Sequence, residues 1–240
     1  MDAKERELIE NVKAASQDVT FVKMRHDLAS FTAQVFGDAG TELQAIGHMF
    51  GSHRVNGESP NQNGDDDVYA IGLLMRIAGQ LLSASNDLFA DGRQYAAAAL
   101  LRQLVEVEYL AWAFETRDKD AQKWLRSTYQ ERKSFFTPAK LRDAAGGKFQ
   151  GRDYGHHCEL GGHPVPRAAK LFKGDIVYTQ MMLVDMLGHV GRTWAHLLGW
   201  AGDNEWSAPI RNRKSEMHSR FDAWNSTDPL VAAGESWAGG

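Results

Sequence analysis

Residues 68–115 constrain the fold more than any other part of the chain. Two long apolar segments, Val68–Phe89 and Arg93–Glu115, are joined by only Ala90, Asp91 and Gly92. Both repeat apolar residues at three- and four-residue steps, the period of an α-helix that buries one face. A turn this short sets two helices side by side and antiparallel. Elsewhere there is no run of alternating β-branched residues and no internal repeat. The expected fold is all-α, a helical bundle around a central antiparallel helical hairpin.

The flanking segments extend that bundle. Residues 3–16 read as a short charged helix. Residues 18–53 read as one or two more, with Phe21, Met24, Leu28, Phe31 and Val35 on one face and a break expected at Gly37 and Gly40. Gly51–Asp67 is polar and rich in Gly, Asn and Asp, as a loop would be. Asp118–Lys133 reads as one charged amphipathic helix, and Pro138 opens another that Gly146 and Gly147 end. Asp175–Ala201 is a last long helix. Past Gly202 come a basic run (Arg211, Arg213, Lys214), one more helix to about Asn225, and a small-residue tail expected to be loose. The chain thus divides into N-terminal helices over 1–53, a polar loop over 54–67, a bundle core over 68–201 and a C-terminal basic segment with its tail over 202–240.

Composition narrows the classes of function. A formal net charge of −4 gives no basic surface for duplex DNA. Cys158 is the only cysteine, so no intramolecular disulfide forms and a cytoplasmic location is expected. The N-terminus, MDAKERELIENVK, lacks the apolar core of a signal peptide. The most apolar segment, Tyr95–Phe114, is interrupted by Arg102, Glu106 and Glu108, so no membrane-spanning helix of about 20 apolar residues is expected.

Three groups of residues carry chemistry. On Arg93–Glu115, Leu104, Leu100, Val107, Ala111 and Phe114 form a core face, with Glu108 and Glu115 at its edge. Arg102 and Glu106 lie among apolar residues on the opposite face, four residues apart. They can form a structural ion pair, or Glu106 can orient Arg102 toward a phosphate or carboxylate. On Asp175–Ala201, Tyr178, Asp185, His189, Arg192 and His196 make one stripe without Lys or Glu. Such a stripe suits packing against a neighbouring helix or a second copy of the chain, or an acid–base or metal-binding row.

The third group is Arg152–Arg167, with Arg152, Tyr154, His156, His157, Cys158, Glu159 and His163. It contains neither HExxH nor paired CxxC, so neither metal nor cofactor is expected. Cys158 has no catalytic-cysteine context. A structural alternative for this stretch is a connection between helices whose histidines pack and cap.

Arg152-Asp153-Tyr154-Gly155-His156-His157 resembles the R-x4-H signature of the HEPN superfamily, all-helical proteins that include ribonucleases of toxin–antitoxin and phage-defence systems. Arg213/His218 and Arg211/His218 are further matches. A broader order also resembles a family of uncharacterised bacterial helical proteins: R-x3-E at Arg102 and Glu106, then Tyr-x3-Cys-x4-His at Tyr154, Cys158 and His163. The HEPN resemblance implies a dimer in which Arg and His of two protomers meet, with RNA as partner. His157 or His163 would be acid or base, Arg152 or Arg102 would bind phosphate, and Glu106 would orient. The alternatives are a non-enzymatic helical module that binds a partner protein or small ligand, and a metal-dependent enzyme using Asp185, His189 and the 156–163 cluster.

Overall fold

The structure is a computed structural model that describes residues 3–50, 65–117, 120–202 and 204–238. Among these, twelve α-helices and no strand are present. The all-α expectation holds. Five long helices form the body: α1 (Ala3–Gln17), α2 (Val19–Phe50), α3 (Asp65–Ala90), α4 (Gln94–Thr116) and α9 (Ile176–Ala201). Between α4 and α9 run four short ones, α5 (Asp120–Arg126), α6 (Tyr129–Phe135), α7 (Pro138–Ala144) and α8 (Gly151–His157). After α9 come α10 (Ala208–Arg211), α11 (Lys214–Thr227) and α12 (Pro229–Ala238).

Helix α4 packs between α3 and α9, and α3 packs on α2. Its expected core face is buried at Leu104, Val107, Ala111 and Phe114. The opposite face is also covered, at Ala98, Tyr109 and Ala113, because α7 and α8 lie across it. A helix covered on both sides must satisfy every polar group it carries through neighbours.

Helix α2 is continuous, so the break expected at Gly37 and Gly40 is absent. Gly40 instead meets Gly72 of α3. A Cβ at Gly40 would lie 2.7 Å from the Gly72 carbonyl oxygen, and one at Gly72 would lie 2.7 Å from the Gln44 nitrogen. These glycines serve close helix–helix approach. The single helix expected over 118–133 is two, α5 and α6. Thr128 starts α6 with a capping box: its Oγ1 accepts from the Glu131 N–H, and Glu131 accepts from the Thr128 N–H. The tail expected to be loose is helical as α12, with Leu230 and Ala233 in the core. The polar loop expected over 54–67 lies outside the described residues up to 64, and Asp65–Asp67 begin α3.

By length and composition alone, one helix among the described residues is long and apolar enough to cross a membrane. Asp66–Ala90 reaches a mean hydropathy of 1.3, and 56% of that window is buried inside the bundle. A fully buried ion pair fastens the opposite side. Arg25 of α2 donates from Nε and Nη2 to the two carboxylate oxygens of Asp228, each at 2.6 Å, and from Nη1 to Gln180 of α9 at 2.9 Å.

Candidate functional site

Helix α8 brings the chemistry of the chain together. It starts after two left-handed glycines, Gly146 and Gly147 (φ 59° and 95°), and continues into a π-helical turn, Cys158–Gly162. Gly161 seats that turn on α4, since a Cβ there would lie 2.4 Å from the Ala99 nitrogen. Pro164 and a 3₁₀ turn over Pro166–Phe172 then lead toward α9. Tyr154 on α8 meets α4, while Asp153 and His157, one turn apart, meet α9.

The Tyr154 side holds a closed polar triangle. Arg102 Nη1 donates to Glu106 Oε1 at 2.6 Å and to the Tyr154 oxygen at 3.0 Å, and the Tyr154 hydroxyl donates to Glu106 Oε1 at 2.8 Å. Burial raises the Tyr154 pKa, and its hydrogen bond to Glu106 adds to the shift. Arg142 stacks over the Tyr154 ring with its Cζ 4.8 Å from the centroid. Arg102 and Glu106 are part-exposed, so this pair lies at the surface edge of α4.

The other side is a deeper cluster. Glu108, His157 and His189 are 2%, 2% and 1% exposed, so none of them can rely on water for a partner. His189 Nδ1 lies 2.6 Å from Glu108 Oε2, and Arg192 Nε donates to Glu108 Oε1 at 2.8 Å. Burial raises the Glu108 pKa, but hydrogen bonding from His189 and the charges of His189 and Arg192 hold it below the ordinary value. Glu108 is therefore a carboxylate, and the ring proton of His189 sits on Nδ1 and is donated to it. Arg192 Nη2, 2.8 Å from that nitrogen, is a neighbour and not a donor to it.

With Nδ1 engaged, His189 turns Nε2 toward His157, whose own Nε2 is 3.3 Å away. Asp153 and Asp185, each about half exposed, close the group. His157 Nε2 lies 3.6 Å from Asp153 and 3.4 Å from Asp185; His189 Nε2 lies 3.5 Å from Asp185 and 3.9 Å from Asp153. Burial opposes charge on His157, yet Asp153 and Asp185 raise its pKa above the usual imidazole value. Burial likewise opposes charge on Asp153, and His157, His189 and Arg192 hold its carboxyl low. For His156, burial and the adjacent His157 lower the pKa. Asp153, His157 and His189 each offer a metal-ligand atom, all within 4.8 Å of one another.

Asp153, His157, Asp185 and Arg192 of this cluster form part of the wall of a cavity of about 880 Å³ that runs along α9. Met181, Met182, Trp194, Phe221 and Trp224 supply apolar wall, and Asp153, His157, Asp185, Arg192 and His218 supply polar groups. The volume and lining suit a small molecule. No family model, curated protein or solved structure matches the chain.

The expected site residues therefore fall into three places. Arg102, Glu106 and Tyr154 meet one another. His157 joins the deep cluster instead. Arg152 and His163 are exposed and make no hydrogen bond or ion pair among the described residues. The stripe on α9 packs on α4 through His189 and Arg192 to Glu108, and through His196 to Glu115. Sequence reasoning passed over Asp153 and gave Glu108 no role. Two signals pointed to them: a carboxylate at the edge of a core face, and the same Asp-x3-His spacing at Asp153/His157 and Asp185/His189. That spacing puts both side chains on one helical face.

Proposed function

We propose that the chain is an enzyme acting on a small molecule held in the cavity along α9, with the His157–His189 centre as its chemical agent. The observation that carries this reading is the buried imidazole of His157 on the cavity wall, 3.3 Å from a second buried imidazole, His189, that a buried carboxylate orients. Orienting carboxylates of this kind fix which imidazole nitrogen is free to work. The substrate class that fits is an apolar body, matching the Met, Trp and Phe wall, with one polar end directed at His157, Asp185 and Arg192.

Trp194 and Trp224 on the wall give the assay. A panel of small amphiphilic compounds should include members that change tryptophan emission saturably. Gly188→Leu fills the cavity without a backbone clash, because a Cβ there meets only Arg192 Nη1 at 3.4 Å. It should abolish that binding with the helical circular dichroism intact. Binding that survives Gly188→Leu, or no response to any compound, refutes the cavity reading. Saturable binding with no turnover leaves a non-enzymatic ligand-binding module.

A second reading, a HEPN-like ribonuclease working as a dimer, is favoured by one specific arrangement. Arg152 and His157 lie on a single helix, α8, with Arg152 exposed and His157 in the cluster. It predicts RNA cleavage that Arg152→Ala and His157→Ala abolish, and a dimer by sedimentation. A panel of RNAs left intact by the wild-type protein ends it.

A further inference from the structure

We infer that Asp153, His157, Asp185 and His189 form a binding site for one divalent transition-metal ion of the zinc class, with Glu108 as the carboxylate that orients His189. This rests on the reading of the same centre as the chemical agent of the cavity, and names what that agent is.

The distances decide between a hydrogen-bonded cluster and an ion site. N–H···O bonds span about 2.7–3.2 Å. The separations between the two Nε2 atoms and the two aspartates are 3.4–3.9 Å, beyond that range. Four ligands at about 2.0–2.1 Å from a tetrahedral zinc ion lie about 3.3–3.4 Å from one another. The two Nε2 atoms stand 3.3 Å apart with Asp185 oxygens 3.4 and 3.5 Å from them, about the spacing of a metal shell, and Asp153, His157 and His189 keep one ligand atom each within 4.8 Å of one another.

Tautomer and charge agree with that geometry. Glu108 takes the Nδ1 proton of His189, which leaves Nε2 as a lone pair aimed at the centre, the usual arrangement of a carboxylate behind a metal-bound histidine. Three carboxylates (Glu108, Asp153, Asp185) face one guanidinium (Arg192), so a divalent cation that takes the place of protons on the two imidazoles leaves the group balanced. Mixed imidazole and carboxylate ligands suit zinc and neighbouring first-row ions. The half-exposed aspartates and the cavity leave a side from which water or a substrate oxygen could reach the ion.

The test uses the full chain prepared without a polyhistidine tag and stripped with a chelator. Titration calorimetry with Zn²⁺ and Mn²⁺, and elemental analysis after removal of excess ion, should find one equivalent per chain. Co²⁺ should give the intense visible absorption of a four-coordinate site. His189→Gln and Asp153→Asn, checked for native helical content, should lose stoichiometric binding. The half-exposed Asp185→Asn should fold normally and bind more weakly. Glu108→Gln should retain one equivalent at about 10–100-fold lower affinity. Wild-type protein that takes up none of the three ions overturns the inference, and so does uptake that His189→Gln and Asp185→Asn leave unchanged. No substrate is present in these measurements. A cavity that fails to bind a small molecule therefore leaves a positive metal result standing, and a chain that binds ligand but no metal overturns the metal site alone.

Discussion

Replacing Arg25 by Met should be the most costly single change outside the site. The guanidinium and the Asp228 carboxylate are both 0% exposed, and their two bonds at 2.6 Å form a parallel fork. Further bonds surround them: Arg25 to the Ala15 carbonyl and Gln180, and Asp228 from Trp224 Nε1 at 2.9 Å and the Leu230 N–H at 3.0 Å. The group therefore joins α1, α2, α9, α11 and α12. Removing one partner strands a buried carboxylate, which costs about 3–5 kcal/mol. Against a typical total of about 5–15 kcal/mol, that is a large share. At about 2–4 °C per kcal/mol for a chain of this size, Tm should fall by roughly 6–20 °C. Urea unfolding followed by circular dichroism measures the loss directly. Arg25→Met combined with Asp228→Leu should cost less than the two single changes added together, because neither then leaves an unpaired charge. Asp228→Leu alone also removes the acceptor of Trp224 and Leu230, so the double variant should not recover fully. A loss below about 1 kcal/mol for Arg25→Met, the scale of a surface pair, would refute the reasoning, as would strict additivity.

Other changes probe the elements that build the site. Gly161→Ala should destabilise the fold by about 1–3 kcal/mol and shift α8, because its Cβ would press on the Ala98–Ala99 backbone; thermal unfolding and ligand binding should both register it. Asp175→Ala removes the side chain that accepts from the Val177 and Tyr178 N–H groups at the start of α9, and should cost about 0.5–2 kcal/mol in urea unfolding. Tyr154→Phe leaves the Arg102–Glu106 pair in place and should cost about 1 kcal/mol, whereas a loss of activity without a loss of stability would give that hydroxyl a functional role. Burial, reinforced by the charge of Asp153, pushes Tyr109 up to about 12. The folded state then holds a proton that the unfolded state releases above about pH 10. Stability should fall as pH rises from about 10 to 12, and Tyr109→Phe should reduce that fall.

Periodicity alone made the all-α class and the long helices legible. Apolar residues every three or four positions over residues 68–115 admit few other structures, and the three-residue turn constrains their packing. Local chemistry was harder to read. Gly37 and Gly40 suggested a break by propensity, but close packing of α2 on Gly72 overrides propensity. Between α5 and α6 the reverse happened, as the Thr128–Glu131 capping box ended a pattern that looked continuous. The final segment looked loose because its residues are small, and it is helical because Leu230 and Ala233 find a place in the core.

The richest stretch of the sequence, Arg152–Arg167, shows the same division within the site. Its residue types announced that something titratable gathers there, and the R-x3-E spacing announced the Arg102–Glu106 pair, which forms as an i,i+4 bond. Spacing within one helix is local and can be read from the chain. Which face of α8 meets which neighbour is not, because it depends on how Gly161 lets the π-helical turn sit on α4. That seating sends Tyr154 to Arg102, and sends Asp153 and His157 to Asp185 and His189, which are 32 residues away along the chain. It also leaves Arg152 and His163 in solvent. The sequence by itself determined the helices and supplied twin Asp-x3-His faces. Only the tertiary structure set those faces against each other and put Glu108 behind one of them, since a convergence of side chains from three helices is a property of packing.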